Sequence, residues 1–126
     1  MPRGEVFAII NCADLAGTRA WYERVLAGRL AYQFPDQGEA QYLTLRIGVG
    51  QVALGNGTGP AMYGETPLPA SGHAVDVCLY VPDLDAVIAA AGEAVVVPPL
   101  DTPWGEGVAH LRDPEGSMLL VIQDTD

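Results

Sequence analysis

The chain has 126 residues, 49% of them hydrophobic and 17% charged, which suits one domain with a real core and argues against a disordered tail or a multidomain enzyme. Sixteen acids face six bases, every base an arginine, for a net charge of −10; nucleic acid and anionic membranes, which need basic patches, are poor partners for such a chain. The acidity is uneven, since residues 47–111 hold seven acids and no Lys or Arg, so the second half carries a negative field.

Chain order begins with a β-like run, Val6 to Cys12, and Asp14 as N-cap of a helix through Ala27. Leu15, Thr18, Tyr22, Val25 and Leu26 fall on one face of that helix, and Gly28 stands where a left-handed C-terminal residue is wanted. Three β-like stretches follow, Arg29 to Phe34, Ala40 to Ile47 and Gln51 to Leu54, separated by Pro35-Asp36-Gln37-Gly38 and Gly48-Val49-Gly50. Residues 56–72 form a Gly- and Pro-rich linker or functional loop carrying Met62 and Tyr63.

The order then repeats. His73 to Val81 is β-like, Asp83 is an N-cap, and Leu84, Val87, Ile88 and Ala91 mark a helix face that Gly92 closes. Ala94 to Val97, Gly107 to Arg112 and Ser117 to Ile122 are three more strands, divided by Pro98-Pro99 and Asp113-Pro114-Glu115-Gly116. Cys12-Ala13-Asp14-Leu15 aligns with Val81-Pro82-Asp83-Leu84 at a shift of 69 residues, so two copies of one β-α-β-β-β module are expected, about 4–55 and about 73–124, within a single domain spanning 1–126.

Cys12 and Cys78 lie in apolar runs and read as small buried residues of a reducing compartment. No apolar run approaches ~18 residues and no apolar stretch follows the N-terminal basic residue, so a soluble cytoplasmic protein is expected.

The chain resembles the vicinal oxygen chelate superfamily, which includes glyoxalase I, the bleomycin resistance proteins and extradiol dioxygenases. Asp14-Leu15 followed by Trp21-Tyr22 and Val25-Leu26-Ala27-Gly28 carry the resemblance, with Val81-Pro82-Asp83-Leu84, Pro103-Trp104-Gly105 and Asp113-Pro114-Glu115-Gly116. It covers nearly the whole chain. It implies an α+β fold of two βαβββ modules forming curled mixed sheets around a cavity, and a homodimer with cavities at the subunit interface. In the family's enzymes four side chains, drawn from His, Gln or Glu, hold a divalent metal.

Carried onto this sequence, those four positions are Phe7, Ala53, Asp76 and Leu120. Three have no donor atom, so no metal, no other cofactor and no catalytic residue is expected. His73 and His110 fall on none of the four, and His110 near Asp113 reads as a strand-surface histidine. Many relatives resemble Trp-Gly-x-Arg after the module-two loop, whereas this chain has Trp104-Gly105-Glu106-Gly107, which makes the cavity more negative.

Nucleophile elbows and phosphate loops are absent from the sequence, and Gly55-Asn56-Gly57-Thr58-Gly59 lacks the lysine of a P-loop. The expected function is metal-independent sequestration of an aromatic natural product or antibiotic, with a cationic group favoured by the negative field and resistance as the outcome. Phe7, Phe34, Trp104 and Leu120 are the expected walls, Asp76 and Tyr80 the polar anchors, and Tyr63 a lid. The alternative is a lyase, isomerase or oxygenase of the same superfamily, with a displaced metal or with Asp76 as base.

Overall fold

The computed structural model describes residues 5–56 and 71–125. Its elements are β1 (Ile9–Asn11), α1 (Leu15–Leu26), β2 (Arg29–Phe34), β3 (Tyr42–Ile47), β4 (Gly50–Gly55), β5 (Asp76–Val81), α2 (Leu84–Ala91), a 3-10 turn (Gly92–Ala94), β6 (Val95–Asp101), β7 (Gly107–Arg112) and β8 (Met118–Gln123). Two four-stranded mixed sheets result, β1-β4-β3-β2 and β5-β8-β7-β6, so the second module repeats the first strand for strand. In each, the first strand runs parallel to the last and every other pairing is antiparallel.

Period-two alternation assigns each strand one face toward the helices and one away from them. On the helix side lie Ile10, Cys12, Leu43, Leu45, Val52 and Leu54 of the first sheet and Val81, Ala109, Leu111, Leu119 and Val121 of the second, joined with both helices into one core. Thr18, Trp21, Tyr22, Val25 and Leu26 are the buried face of α1, and Leu15 is only half-buried. The helices are tied to each other where Arg24 Nη1 donates to the Ala90 carbonyl at 2.8 Å, near the C-terminal end of α2 where a cation is favoured.

Each helix opens on an aspartate. The Asp14 carboxylate accepts from Gly17 N–H at 3.0 Å and that of Asp83 from Ala86 N–H at 3.1 Å. Asp14→Ala and Asp83→Ala should each lower stability by about 1 kcal/mol in urea unfolding; equal midpoints for parent and variants would contradict the capping role.

Three sequence expectations are corrected. Ala27, rather than Gly28, takes the left-handed conformation that ends α1, with φ 55°. Gly28 sits at a close approach instead: a Cβ there would stand 3.3 Å from the Tyr22 carbonyl oxygen, tighter than most such contacts, and 3.4 Å from Leu45 Cδ1. Pro98-Pro99 do not end a strand but lie inside β6, which is possible because β6 is a sheet edge with register shifts on both sides of Val97. Cys78 is exposed rather than buried, since its place in β5 turns it to the helix-free side; only Cys12 is buried.

The most extensive tie between modules comes from the loop before β8. Glu115 Oε1 accepts from Ala13 N–H at 2.9 Å, and its Oε2 from Asp14 N–H at 3.1 Å and from Thr18 Oγ1 at 2.9 Å. Asp113 Oδ2 accepts from the Tyr22 hydroxyl at 2.6 Å while its Oδ1 takes the N–H groups of Glu115 and Ser117. A second-module loop therefore caps and anchors the first-module helix.

Candidate functional site

Both sheets turn a helix-free face outward, and neither closes on itself within the chain. Ile9, Tyr32 and Phe34 are exposed on the first sheet, Tyr80 and Leu100 on the second, with Trp104 in the loop after β6. That is unusual apolar surface for a chain whose core is otherwise complete.

On the second sheet, Asp76, Cys78 and Tyr80 alternate outward along β5. Cys78 is paired with Leu120 of β8, and Leu120 with His110 of β7, so these residues share the open face. Trp104 reaches the same neighbourhood through Glu106. Its indole Nε1 donates to Glu106 Oε1 at 2.9 Å, and the Tyr80 hydroxyl donates to Glu106 Oε2 at 3.2 Å. Glu106 is itself positioned by Thr102, whose Oγ1 accepts from its N–H at 3.0 Å, in a turn where Gly105 has φ 93°. One carboxylate thus holds two aromatic rings on an exposed face, and Trp104 is left 73% accessible.

Acidic neighbours colour the chemistry of this face. The hydrogen bond to Glu106, followed by its charge, pushes the Tyr80 phenol up, so it stays protonated and donating. Burial and then the charges of Asp76 and Glu106 push the Cys78 thiol up, which leaves it a poor nucleophile. Cys12, pushed up to about 12 mainly by burial, is still less available.

Asp76 is not a lone carboxylate. His73 Nε2 lies 2.5 Å from its Oδ1 and His110 Nε2 3.8 Å from the same oxygen. His110 stands on the open face of β7, in keeping with its reading as a strand-surface histidine, while the buried Asp113 is engaged with Tyr22.

Of the expected ligand residues, the structure groups Asp76, Tyr80, Trp104 and Leu120 around the second sheet. Phe7 and Phe34 belong to the first sheet, where Phe7 precedes β1 at one edge and Phe34 ends β2 at the other, so they do not form one wall. Tyr63 and Met62 lie outside the described residues. In the sequence Glu106 reads only as negative charge; its place two residues after Trp104, in a Gly-flanked turn, is the signal of its bond to the indole. The convergence of His73 and His110 on Asp76 had none, because it depends on strand order.

A cleft of about 420 Å³ also opens between the modules, lined by Ile9, Asn11, Val75, Val77, Arg112 and Met118 among others. Among the described residues, none of the expected ligand residues and no aromatic ring lines it.

The family model described as Glyoxalase/Bleomycin resistance protein/Dioxygenase superfamily matches residues 6–121. No curated protein matches the sequence. The solved structure of TioX from Micromonospora sp. ML1 is similar at 28% identity, over 95% of this chain and 98% of that one, with a TM-score of 0.73. The fold alone is shared with two others. One is the fosfomycin resistance protein FosX from Mesorhizobium loti, at 16% identity over 99% and 95% of the two chains, TM-score 0.67. The other is lactoylglutathione lyase from Agrobacterium tumefaciens, at 18% identity over 97% and 95%, TM-score 0.65.

Proposed function

The chain belongs to the glyoxalase/bleomycin resistance protein/dioxygenase superfamily, and on that footing we propose that it is a small-molecule-binding protein that sequesters an aromatic, cationic natural product or antibiotic without turnover. The usual four-residue metal set of that family does not fit. Phe7, Ala53 and Leu120 offer no donor atom, and Ala53 is wholly buried in β4. Chemistry routed through a metal at those positions has nothing to hold the metal.

The observation that carries the reading is the Trp104–Glu106–Tyr80 group. Aromatic faces stack on flat conjugated rings and attract cations, and a carboxylate between two such rings adds charge complementarity. Holding the rings by hydrogen bonds before the ligand arrives lowers the ordering cost of binding. The acidic second half draws the same kind of ligand from solution. The inter-module cleft, with no aromatic ring among the described residues that line it, offers less to a flat ligand.

A homodimer belongs to this proposal. Each chain exposes Tyr32 and Phe34 on one open face and Tyr80 and Trp104 beside the other, and a second copy laid against them would enclose the ligand. Phe7 and Phe34 would then meet the ligand from the first sheet, and native mass spectrometry would report a dimer.

The test is tryptophan fluorescence under titration with bleomycin-like, quinone and peptide antibiotics. Trp21 is buried in the core, so a ligand-dependent change should vanish in Trp104→Phe. Glu106→Gln should weaken a cationic ligand by about tenfold, and a chelator should leave the affinity unchanged. No response to any of these compounds would remove the support for sequestration. A second reading, an enzyme with Asp76 as base, is favoured by the contact of Asp76 with His73; turnover abolished by Asp76→Asn while binding survives would establish it.

A further inference from the structure

We propose that His73, Asp76 and His110 form a site for one divalent transition-metal ion, built from the second module alone. One ligand atom from each residue lies within 4.8 Å of the other two. The residues come from three places in the fold: the segment before β5, the start of β5, and β7 across the intervening β8. Donor atoms bound to one ion at ~2.0–2.2 Å stand roughly 3–3.5 Å apart. The two observed separations from Asp76 Oδ1, 2.5 and 3.8 Å, bracket that spacing, so small side-chain rotations bring all three onto one ion. The side chains of His73 and Asp76 are 45% and 29% accessible, which leaves room for such rotations.

The surroundings favour a cation there. The imidazoles meet edge to face, with centroids 5.5 Å apart and planes at 76°, and each has its Nε2 near the carboxylate. The one arginine on the strands of the second sheet, Arg112, two residues after His110, is spent on backbone: its Nη2 donates to Gly72 O and its Nη1 to Gly116 O, each at 2.5 Å. That clamp also fixes the residue immediately before His73. Two neutral imidazoles and one carboxylate are a borderline-soft set that suits zinc, cobalt, nickel or iron(II) over magnesium or calcium. Three protein ligands leave coordination positions open on the helix-free side.

This set is distinct from the four positions of the family pattern, sharing only Asp76 with them. It goes beyond sequestration and does not depend on it, because its readout needs no organic ligand and no fluorescence change.

Tag-free protein, stripped with a chelator and dialysed, is titrated with cobalt chloride while visible absorption is followed. The expected result is d–d bands that saturate at one cobalt per chain and are displaced by one equivalent of zinc chloride. His110→Ala and His73→Ala should each weaken cobalt binding about tenfold or more, with unchanged far-UV circular dichroism because both residues lie outside the core. Absence of saturable bands would overturn the site and leave His73–Asp76 as a plain ion pair. Parent-like cobalt binding in both histidine variants would overturn it equally, by placing the metal elsewhere.

Discussion

Glu115→Ala is expected to lower the stability of the fold by about 3–5 kcal/mol, the cost of breaking a buried, charge-bearing network on one side. The carboxylate is 7% exposed and satisfies three donors at the start of α1: the N–H groups of Ala13 and Asp14 and the Thr18 hydroxyl. Alanine removes every acceptor; the Thr18 hydroxyl is left buried without its partner, and the part-buried N–H groups of Ala13 and Asp14 lose a charged acceptor. The negative charge also opposes the positive end of the α1 dipole, and that attraction is lost too. Thermal unfolding should move down by about 10 °C or more. Glu115→Gln, which keeps one acceptor oxygen, should fall between parent and alanine. A loss below about 1 kcal/mol for the alanine variant would show that the clasp contributes little.

Tyr22 is the second position of large effect. It is wholly buried and its hydroxyl donates to Asp113 at 2.6 Å. Tyr22→Ala should cost about 4 kcal/mol or more, combining the cavity with the loss of the only donor to Asp113 Oδ2 among the described residues, while Tyr22→Phe isolates the hydroxyl at about 1.5–3 kcal/mol. The same group gives the fold an alkaline limit. Burial first, then the Asp113 charge, drives the phenol far above its ordinary value of 10.0, so it ionises readily only when the chain unfolds. A raised pKa means that the stabilisation is complete below pH 10 and declines as pH rises above it, by about 1.4 kcal/mol per pH unit. Cys12 acts likewise between its ordinary 9.0 and about 12. Urea midpoints measured from pH 8 to 11 should fall in two stages, beginning near pH 9, and the stage above pH 10 should be shallower in Tyr22→Phe.

The modular fold was legible because its signals are local. Asp14 and Asp83 mark the helix starts, and the strand runs at 29–34 and 107–112 coincide with β2 and β7. Other boundaries followed from non-local circumstances. Prolines 98 and 99 look like a break until β6 is known to be an edge, and Gly28 looks like a helix cap until Tyr22 and Leu45 are seen against it. Parity along β5 puts Asp76, Cys78 and Tyr80 on one face but does not say which face is buried, and Cys78 in its apolar run therefore reads as a core residue although it is exposed. What stood across from Asp76 was less legible still. His110 lies 34 positions away and meets it only because β8 inserts between β5 and β7. Glu115 in the Asp113-Pro114-Glu115-Gly116 loop signalled a turn; its grip on α1, a hundred residues earlier, was not in the pattern.

That grip has a bearing on how the chain is made. A ribosome releases the first module well before residue 115, and domains generally fold from the N-terminus as synthesis proceeds. Here α1 emerges with Thr18 and Tyr22 lacking their eventual carboxylate partners, so the nascent first half holds a helix that cannot settle until the last loop is delivered. Folding should therefore be largely post-translational, and fragments ending before Glu115 should depend on chaperones far more than the complete chain does.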